Sequence, residues 1–187
     1  MKKIVFTLCA IFIVLSMKAQ NGFGLMGGIN ASVSSADHVD WRFGGFVGGV
    51  YDIQLKESFY LQPRLVLSYQ ENQRTPEFYS QWNAALPILA SFKMRLSDNS
   101  ALRLNAGPYL QYAVFGREKL FAPFNKSSLN WWHYDFGDKI TYGGQIGLQV
   151  EHKKMFATID YKHAFRRSQL NMNGFENTIQ LGIGYKF

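Results

Sequence analysis

The chain has 187 residues, which is the length of a single domain. Its formal charge of +7 includes Lys2, Lys3 and Lys18, and subtracting these three charges leaves about +4 for the rest, too little and too scattered for nucleic-acid binding. The one cysteine, Cys9, lies near the N-terminus, so neither disulfide nor thiol chemistry is available to the remaining chain.

Residues 1–19 are predicted to be a cleaved signal peptide. Lys2 and Lys3 precede the apolar run 4–15, and Ala19 is the small residue before the expected cut. The run is too short to span a bilayer as a helix, and no later apolar run is longer. We therefore expect a single domain, residues 20–187, which enters a membrane only if it does so with alternating strands.

Eight later segments alternate apolar and polar residues with period two, as half-buried strands do. The segments are 22–33, 41–55, 59–69, 82–96, 101–115, 140–151, 155–165 and 175–187. Pro87 predicts a local bulge or kink in the fourth segment. Short turns at 56–58, 97–100 and 152–154 alternate with longer polar connections at 34–40, 70–81, 116–139 and 166–174.

The apolar faces of these segments contain no Asp, Glu, Lys or Arg, as expected of a surface that meets lipid. Alternation alone would also fit a secreted barrel with its apolar face inward. Three features favour the membrane: polar faces rich in Gly, Gln, Asn and Thr, aromatic residues at strand ends, and an ending on Phe187. The prediction is an all-β, eight-stranded antiparallel up-and-down transmembrane β-barrel.

Short motifs distributed along the chain resemble those of a known family. They are Ala19-Gln20, Gly44-Gly45-Phe46-Val47-Gly48-Gly49-Val50, Phe59-Tyr60-Leu61-Gln62-Pro63, Leu86-Pro87, Ala106-Gly107-Pro108-Tyr109-Leu110 and Leu181-Gly182-Ile183-Gly184-Tyr185-Lys186-Phe187. In these motifs the chain resembles the PorT-like outer-membrane β-barrel family, small eight-stranded barrels of Gram-negative bacteria. The resemblance implies the outer membrane of such a bacterium and allows an auxiliary role in secretion. Arg64 departs from it, because these families usually place Glu there.

Charged residues on the inward faces are predicted to form a polar network that fills the interior. They are Arg42, Asp52, Arg64, Lys93, Arg95, Arg103, Glu151, Asp160, Lys162, Glu176 and Lys186. Eight strands leave little room for water, so paired charges fit a plugged lumen. Because most of these residues are basic, a narrow solute or anion pore is the alternative. Arg64 and Asp160, both near mid-strand, are expected to belong to the same network.

No catalytic, cofactor or metal site is predicted. His163, on the lipid face, is the residue to test for a lipid-modifying enzyme, but no Ser shares its face within its strand. His38, His133 and His152 do not have metal-ligand spacing. The chain is therefore expected to be a non-enzymatic protein without a cofactor, and a lipid-modifying enzyme is the second alternative after the pore.

The connection 116–139 carries the aromatic residues Trp131, Trp132, Tyr134 and Phe136. At a loop tip they would recognise a protein or a glycan. The last three also continue the parity of the following strand, so the same stretch fits a strand that rises above the bilayer.

The other expected partners are outer-membrane lipid and lipopolysaccharide, and the barrel-insertion machinery. Tyr185 and Phe187 are predicted to be the aromatic marks that this machinery reads on the closing strand.

Overall fold

A computed structural model describes residues 22–34, 41–74, 77–120, 128–130, 139–165 and 176–187. The predicted signal peptide lies outside these ranges, as do parts of the longer connections. Within the described ranges, no helix is both long and apolar enough to cross a membrane.

The described chain folds into antiparallel strands. They are β1 (Phe23–Ser34), β2 (Trp41–Tyr51), β3 (Ile53–Lys56), β4 (Phe59–Arg74), β5 (Glu77–Ser97), β6 (Ser100–Leu120), β7 (Ser128–Asn130), β8 (Ile140–His152), β9 (Met155–Ala164) and β10 (Glu176–Lys186). β2 and β3 both pair with β4 and form one strand of the wall, interrupted at Asp52. β7 pairs with the end of β6.

The pairing of β1 with β10 closes the sheet. Their register runs without a break from Gly24 opposite Lys186 to Ser34 opposite Glu176. β1 also pairs with β2, and every other strand of the wall pairs with two neighbours. The predicted eight-stranded antiparallel barrel is thereby confirmed.

Apolar side chains cover the outside of this barrel. Ile29, Phe43 and Ile183 are each more than 60% exposed, whereas the intervening residues Asn30 and Gly182 are buried. Such a continuous apolar belt is not found on a protein that faces water on all sides. The arrangement is that of a barrel whose outer wall faces lipid, and it excludes the inverted, secreted barrel.

Aromatic side chains pair on the outer wall near both ends of the barrel. Tyr69 and Trp82 lie with ring centroids 5.2 Å apart toward the longer connections. Phe59 and Phe92 lie 5.0 Å apart toward the short turns. Aromatic girdles at both interfaces are typical of outer-membrane barrels.

Three strands are longer than the sequence pattern predicted. The prediction of a polar loop over residues 70–81 is wrong. β4 continues to Arg74, which pairs with Glu77 at the start of β5. The prediction of a long connection over residues 116–139 is partly wrong. β6 continues to Leu120, and residues 128–130 form β7. Backbone hydrogen bonds between neighbouring strands do not require an apolar face, so these strands continue where the alternation ends.

The bulge predicted at Pro87 is also wrong. The β5–β6 register is unchanged from Asn83 opposite Ala113, through Pro87 opposite Tyr109, to Arg95 opposite Ala101. The register shifts lie instead between Trp82 and Asn83 and between Arg95 and Ser97. Proline lacks only the N–H donor, which removes a single ladder hydrogen bond without displacing the register.

Candidate functional site

The centre of the barrel holds a buried ion pair. Arg64 on β4 and Asp160 on β9 meet with Nη1 and Oδ2 2.9 Å apart, and both side chains are almost completely buried. Arg64 also donates through Nε to Gln62 (2.8 Å) and through Nη2 to Gln149 (3.3 Å). The Thr158 hydroxyl donates to the same Asp160 oxygen at 2.8 Å. The guanidinium therefore contacts residues of β4, β8 and β9 and connects opposite sides of the barrel.

A second group of charges lies at the short-turn end, the end that carries turns 57–58, 98–99 and 153–154. Arg103 Nη2 lies 3.1 Å from Asp52, and its Nε lies 2.8 Å from Glu151. Lys186 contacts both of these carboxylates, and Lys93 lies 3.0 Å from Glu151. Each carboxylate is therefore held by at least two cations. We call these five residues the ionic cluster.

Two glutamines join the central ion pair to the ionic cluster. Gln62 Nε2 donates to Asp52 at 2.7 Å, and Gln149 Nε2 donates to Glu151 at 2.8 Å. Each glutamine also accepts from Arg64, so the contacts form one continuous network. Sequence reasoning followed the charged residues and left these two out of the network. The available signal was their spacing, two residues before Arg64 and before Glu151 on the same inward face.

The network contains one more cation than carboxylates. The cations are Arg64, Lys93, Arg103 and Lys186, and the carboxylates are Asp52, Glu151 and Asp160. Tyr60 compensates in part, because its ring lies 4.4 Å from the Arg103 guanidinium carbon and 5.9 Å from Lys93 Nζ. An aromatic face stabilises a partly desolvated cation.

The remaining predicted lumen residues are not members of the ionic cluster. Lys162 is buried beside Tyr109, with Nζ 5.6 Å from the ring centroid. Arg42 is half-buried near the loop end, the end opposite the short turns. Arg95 is exposed at the short-turn end, and Glu176 is placed only by its backbone pairing with Ser34.

The interior is not filled by polar residues alone, and in this respect the expectation needs correction. An apolar cluster inside the barrel contains Met26, Phe46, Val50, Val66, Ala85 and Phe156. Glycines on β10 make room for its two rings: a Cβ at Gly184 would lie 2.3 Å from Phe156 Cζ, and one at Gly182 would lie 2.8 Å from Phe46 Cζ. The period-two pattern places these rings inward but does not show that they meet.

A third interior region, which we call the amide region, lies toward the loop end and consists of uncharged residues, although the buried Lys162 lies opposite Thr178 in the strand register. Its members are Asn30, Ser32, Gln70, Gln81, Asn83 and Thr178, all buried. Gln70 Nε2 donates to Ser32 at 2.6 Å, and the Ser32 and Thr178 hydroxyls are hydrogen-bonded at 2.7 Å. Gln81 Nε2 donates to Asn83 at 2.6 Å.

His163 lies on the outer wall, and the structure supplies the cross-strand partner that sequence could not assign. Its Nδ1 is hydrogen-bonded to Asn177 Oδ1 at 2.7 Å, and the Tyr161 hydroxyl donates to the same oxygen at 2.8 Å. Its neighbours in the two adjacent strands are Asn177 and Gly144, neither of which is a nucleophile. In the described part of the chain, no group of three or more His, Cys, Asp or Glu could hold a metal ion.

At the loop end, three strands continue beyond the Tyr69–Trp82 girdle pair. Residues 70–74, 77–81 and 116–120 remain paired there, and 128–130 adds a fourth strand. We call this part the raised sheet. The predicted recognition residues Trp131, Trp132, Tyr134 and Phe136 follow β7 directly but lie outside the described residues.

At the opposite end, the last residue is tied to the first strand. Phe187 N donates to Phe23 O at 2.9 Å, and the two rings stack with centroids 5.9 Å apart. The Tyr185 ring packs against Phe187 in a T-shaped arrangement at 5.4 Å. All three rings are largely exposed on the outer wall.

The closed barrel with a lipid-facing wall defines an integral outer-membrane protein. The chain belongs to the family of outer membrane protein beta-barrel domains, whose model matches residues 4–187. Comparison with curated protein sequences finds no match.

Among solved structures, the fold is similar to three small barrels. Ail, the attachment invasion locus protein of Yersinia pestis in complex with the heparin analogue sucrose octasulfate, shares 12% identity over 90% of this chain and 100% of that chain, with a TM-score of 0.53. Neisserial surface protein A shares 11% over 88% and 97%, with a TM-score of 0.54. The outer membrane enzyme PagL shares 10% over 84% and 97%, with a TM-score of 0.51. At such identities the likeness concerns the fold.

Proposed function

We propose that this protein is a non-enzymatic barrel with a structural or surface-interaction role, and that its recognition site is the outer loop 116–139 carried on the raised sheet. The raised sheet is the observation that supports this proposal. Its strands continue five residues past Trp82 and Tyr69, which at about 3.3 Å per residue is roughly 17 Å. A paired sheet of that length carries β7 beyond the girdle, and the predicted recognition residues follow β7 in the sequence.

The charge of the outer connections helps to define the partner. Connections 34–40, 70–81, 116–139 and 166–174 contain seven basic and seven acidic residues, so their formal net charge is zero. Ail was solved with a polysulfated heparin analogue. A neutral set of loops gives a polyanion little attraction, so we favour a protein or a glycan that stacks on Trp131 and Trp132.

The interior contacts favour a lumen that is blocked to ions over the alternative of a pore. Arg64 and Asp160 are almost completely buried and engage three walls at mid-height. An ion crossing the lumen would have to break these contacts. Steady, anion-selective conductance of the pure protein in planar bilayers would instead establish the pore.

A lipid-modifying enzyme has little support, although PagL shares the fold. The Asn177 contact orients His163, but an enzyme also needs a nucleophile within hydrogen-bond reach of the histidine. A changed lipid A mass in a His163→Ala strain relative to wild type would establish this alternative.

Photo-crosslinking on intact cells tests the surface-interaction proposal. We expect Trp131→Ala/Trp132→Ala to abolish a specific crosslink formed from the loop 116–139, because stacking partners are removed while the strands are unchanged. A matched control, Lys56→Ala/Lys154→Ala, alters two exposed residues at the opposite end and should keep the crosslink. An identical crosslink pattern in all three proteins would refute recognition through this loop.

The resemblance to PorT-like barrels supports a secretion-auxiliary form of the same role. A deletion strain should then release less secreted protein, and the Trp131→Ala/Trp132→Ala variant should fail to restore release. Normal release in the deletion strain would contradict the secretion-auxiliary role and would leave the surface-interaction role as proposed.

We also propose that Tyr185 and Phe187 mark the closing strand for the insertion machinery. Deleting Phe187 removes its hydrogen bond and ring contact with Phe23, so heat-modifiable barrel in the outer membrane should fall several-fold. Phe165→Ala alters an exposed aromatic directly after β9 at the other end, so it is the matched control and should assemble normally. Equal assembly of both variants would contradict the role.

A further inference from the structure

The short-turn end of the barrel contains an open pocket of about 290 Å³. It lies between the turn that joins β5 to β6 and the turn that joins β8 to β9. Its charged lining residues are Lys93, Arg95, Asp98, Glu151 and Lys153. In outer-membrane barrels the short turns lie on the periplasmic side, so the pocket opens toward the periplasm.

Hydrogen bonds between the two turns hold the walls of this pocket in place. Lys153 N donates to Asn99 O at 2.7 Å, and Ser100 Oγ is hydrogen-bonded to His152 Nδ1 at 3.0 Å. Lys153 has a φ of 54°, a left-handed conformation that a lysine adopts at some cost. The backbone contact with Asn99 is one interaction that stabilises it there. The pocket therefore exists without a ligand-induced rearrangement of its turns.

The charges around the pocket are unbalanced in favour of cations. Glu151 is one of its two acidic residues, but Arg103 and Lys186 already neutralise this carboxylate from inside the barrel. The other, Asp98, is exposed on its turn. Lys93 lies 3.0 Å from Glu151 and is already counted in the network's surplus of one cation, and Arg95 and Lys153 add two cations against the single exposed carboxylate of Asp98. A bound anion neutralises this surplus, which comes from the partly buried Lys93 and the exposed Arg95 and Lys153.

We propose that this pocket binds the anionic oxygen group, a carboxylate or a phosphate, of a small periplasmic ligand. Arg95 supplies a planar fork of donors, and point charges come from Lys93 on the same strand, β5, and from Lys153 on the turn between β8 and β9. The volume lies at the lower limit for small-molecule sites, which suits a peptide carboxyl terminus or a phosphate monoester. The site is independent of the outer loop, because it opens at the opposite end of the barrel.

Amide chemical shifts of the barrel in uncharged detergent micelles test the proposal. Inorganic phosphate and N-acetylglycine are titrated separately at constant ionic strength. We expect saturable shifts confined to residues 97–101 and 152–154 with one or both probes. A phosphate-only response identifies phosphate as the group, and an N-acetylglycine-only response identifies carboxylate. No saturable shift with either probe overturns the proposal.

Charge variants provide the second arm. Arg95→Gln and Lys153→Asn should each weaken binding about three- to tenfold, and asparagine tolerates the left-handed backbone at 153. Asp98→Asn should tighten binding by a similar factor. The matched control is Lys154→Gln, since Lys154 lies over the Tyr185 ring, 5.7 Å from its centroid, and outside the pocket lining. An equal loss of binding in Lys154→Gln and Lys153→Asn would indicate non-specific attraction and would overturn the proposal.

Discussion

Two polar regions of the barrel interior differ in how many hydrogen-bond partners their buried groups have. In the network around Arg64, each carboxylate receives at least two donors, and glutamines connect one ion pair to the next. In the amide region, Asn30 is equally buried, but neither atom of its carboxamide has a hydrogen-bond partner among the described residues. A charge without any partner is far more costly to bury than a neutral amide, so each charged side chain keeps at least one opposite charge, although Asp160 Oδ1, Arg103 Nε and Arg103 Nη1 have no hydrogen bond among the described residues.

The largest effect is expected from removing one member of the central ion pair. Asp160→Leu leaves Arg64 buried and unpaired, which should cost about 3–5 kcal/mol of stability. The urea midpoint, followed by heat-modifiable migration of the folded barrel in micelles, measures the change.

The double variant Arg64→Met/Asp160→Leu controls for the loss of packing. It removes both charges together, so it should be more stable than Asp160→Leu alone. If the two variants unfolded at the same urea concentration, the uncompensated charge would not be the cause of the loss.

An intermediate effect is expected at the short-turn end. Lys186→Met removes a cation from Asp52 and Glu151, but its side chain is 14% exposed, so water and other cations compensate in part. We expect a loss of about 1–2 kcal/mol, smaller than for Asp160→Leu. Salt screens partly exposed ion pairs, and the screening length in 1 M salt is about 3 Å. The difference in stability between Lys186→Met and wild type should therefore shrink in 1 M salt. A salt-independent loss would argue that contacts of the Lys186 side chain other than its ion pairs, such as that of Nζ with the Phe156 ring at 5.5 Å, account for the loss.

The smallest effect is expected in the amide region. Asn30→Leu preserves the branched shape and removes no hydrogen bond to a described residue, so stability should change by less than about 1 kcal/mol. Gln62→Met is the matched comparison, because it also replaces a buried amide by an apolar side chain. It removes contacts to both Arg64 and Asp52, and should cost about 2–3 kcal/mol. Equal costs for the two substitutions would show that the two regions do not differ.

The sequence predicts which charged residues of this site point inward, but it does not predict which of them are in contact. Inward placement of Arg64, Asp160 and Lys186 follows from alternation. The bridging role of Gln62 does not, because it depends on which strands face each other across the lumen. The raised sheet was missed because its strands have no lipid-facing side, and the alternation that identifies a membrane strand ends with the bilayer.

The sequence by itself determined the strands within the membrane, the face that each one turns to lipid and the closed class of fold. The physical reason is local: side chains alternate with period two, and lipid tolerates no charge on the outer face. Only the tertiary structure decided which inward residues meet. Arg64 and Asp160 are 96 residues apart in the chain, and their contact depends on closure and register between distant strands. The direct pairing of β6 with β8 places the two short turns side by side around the periplasmic pocket.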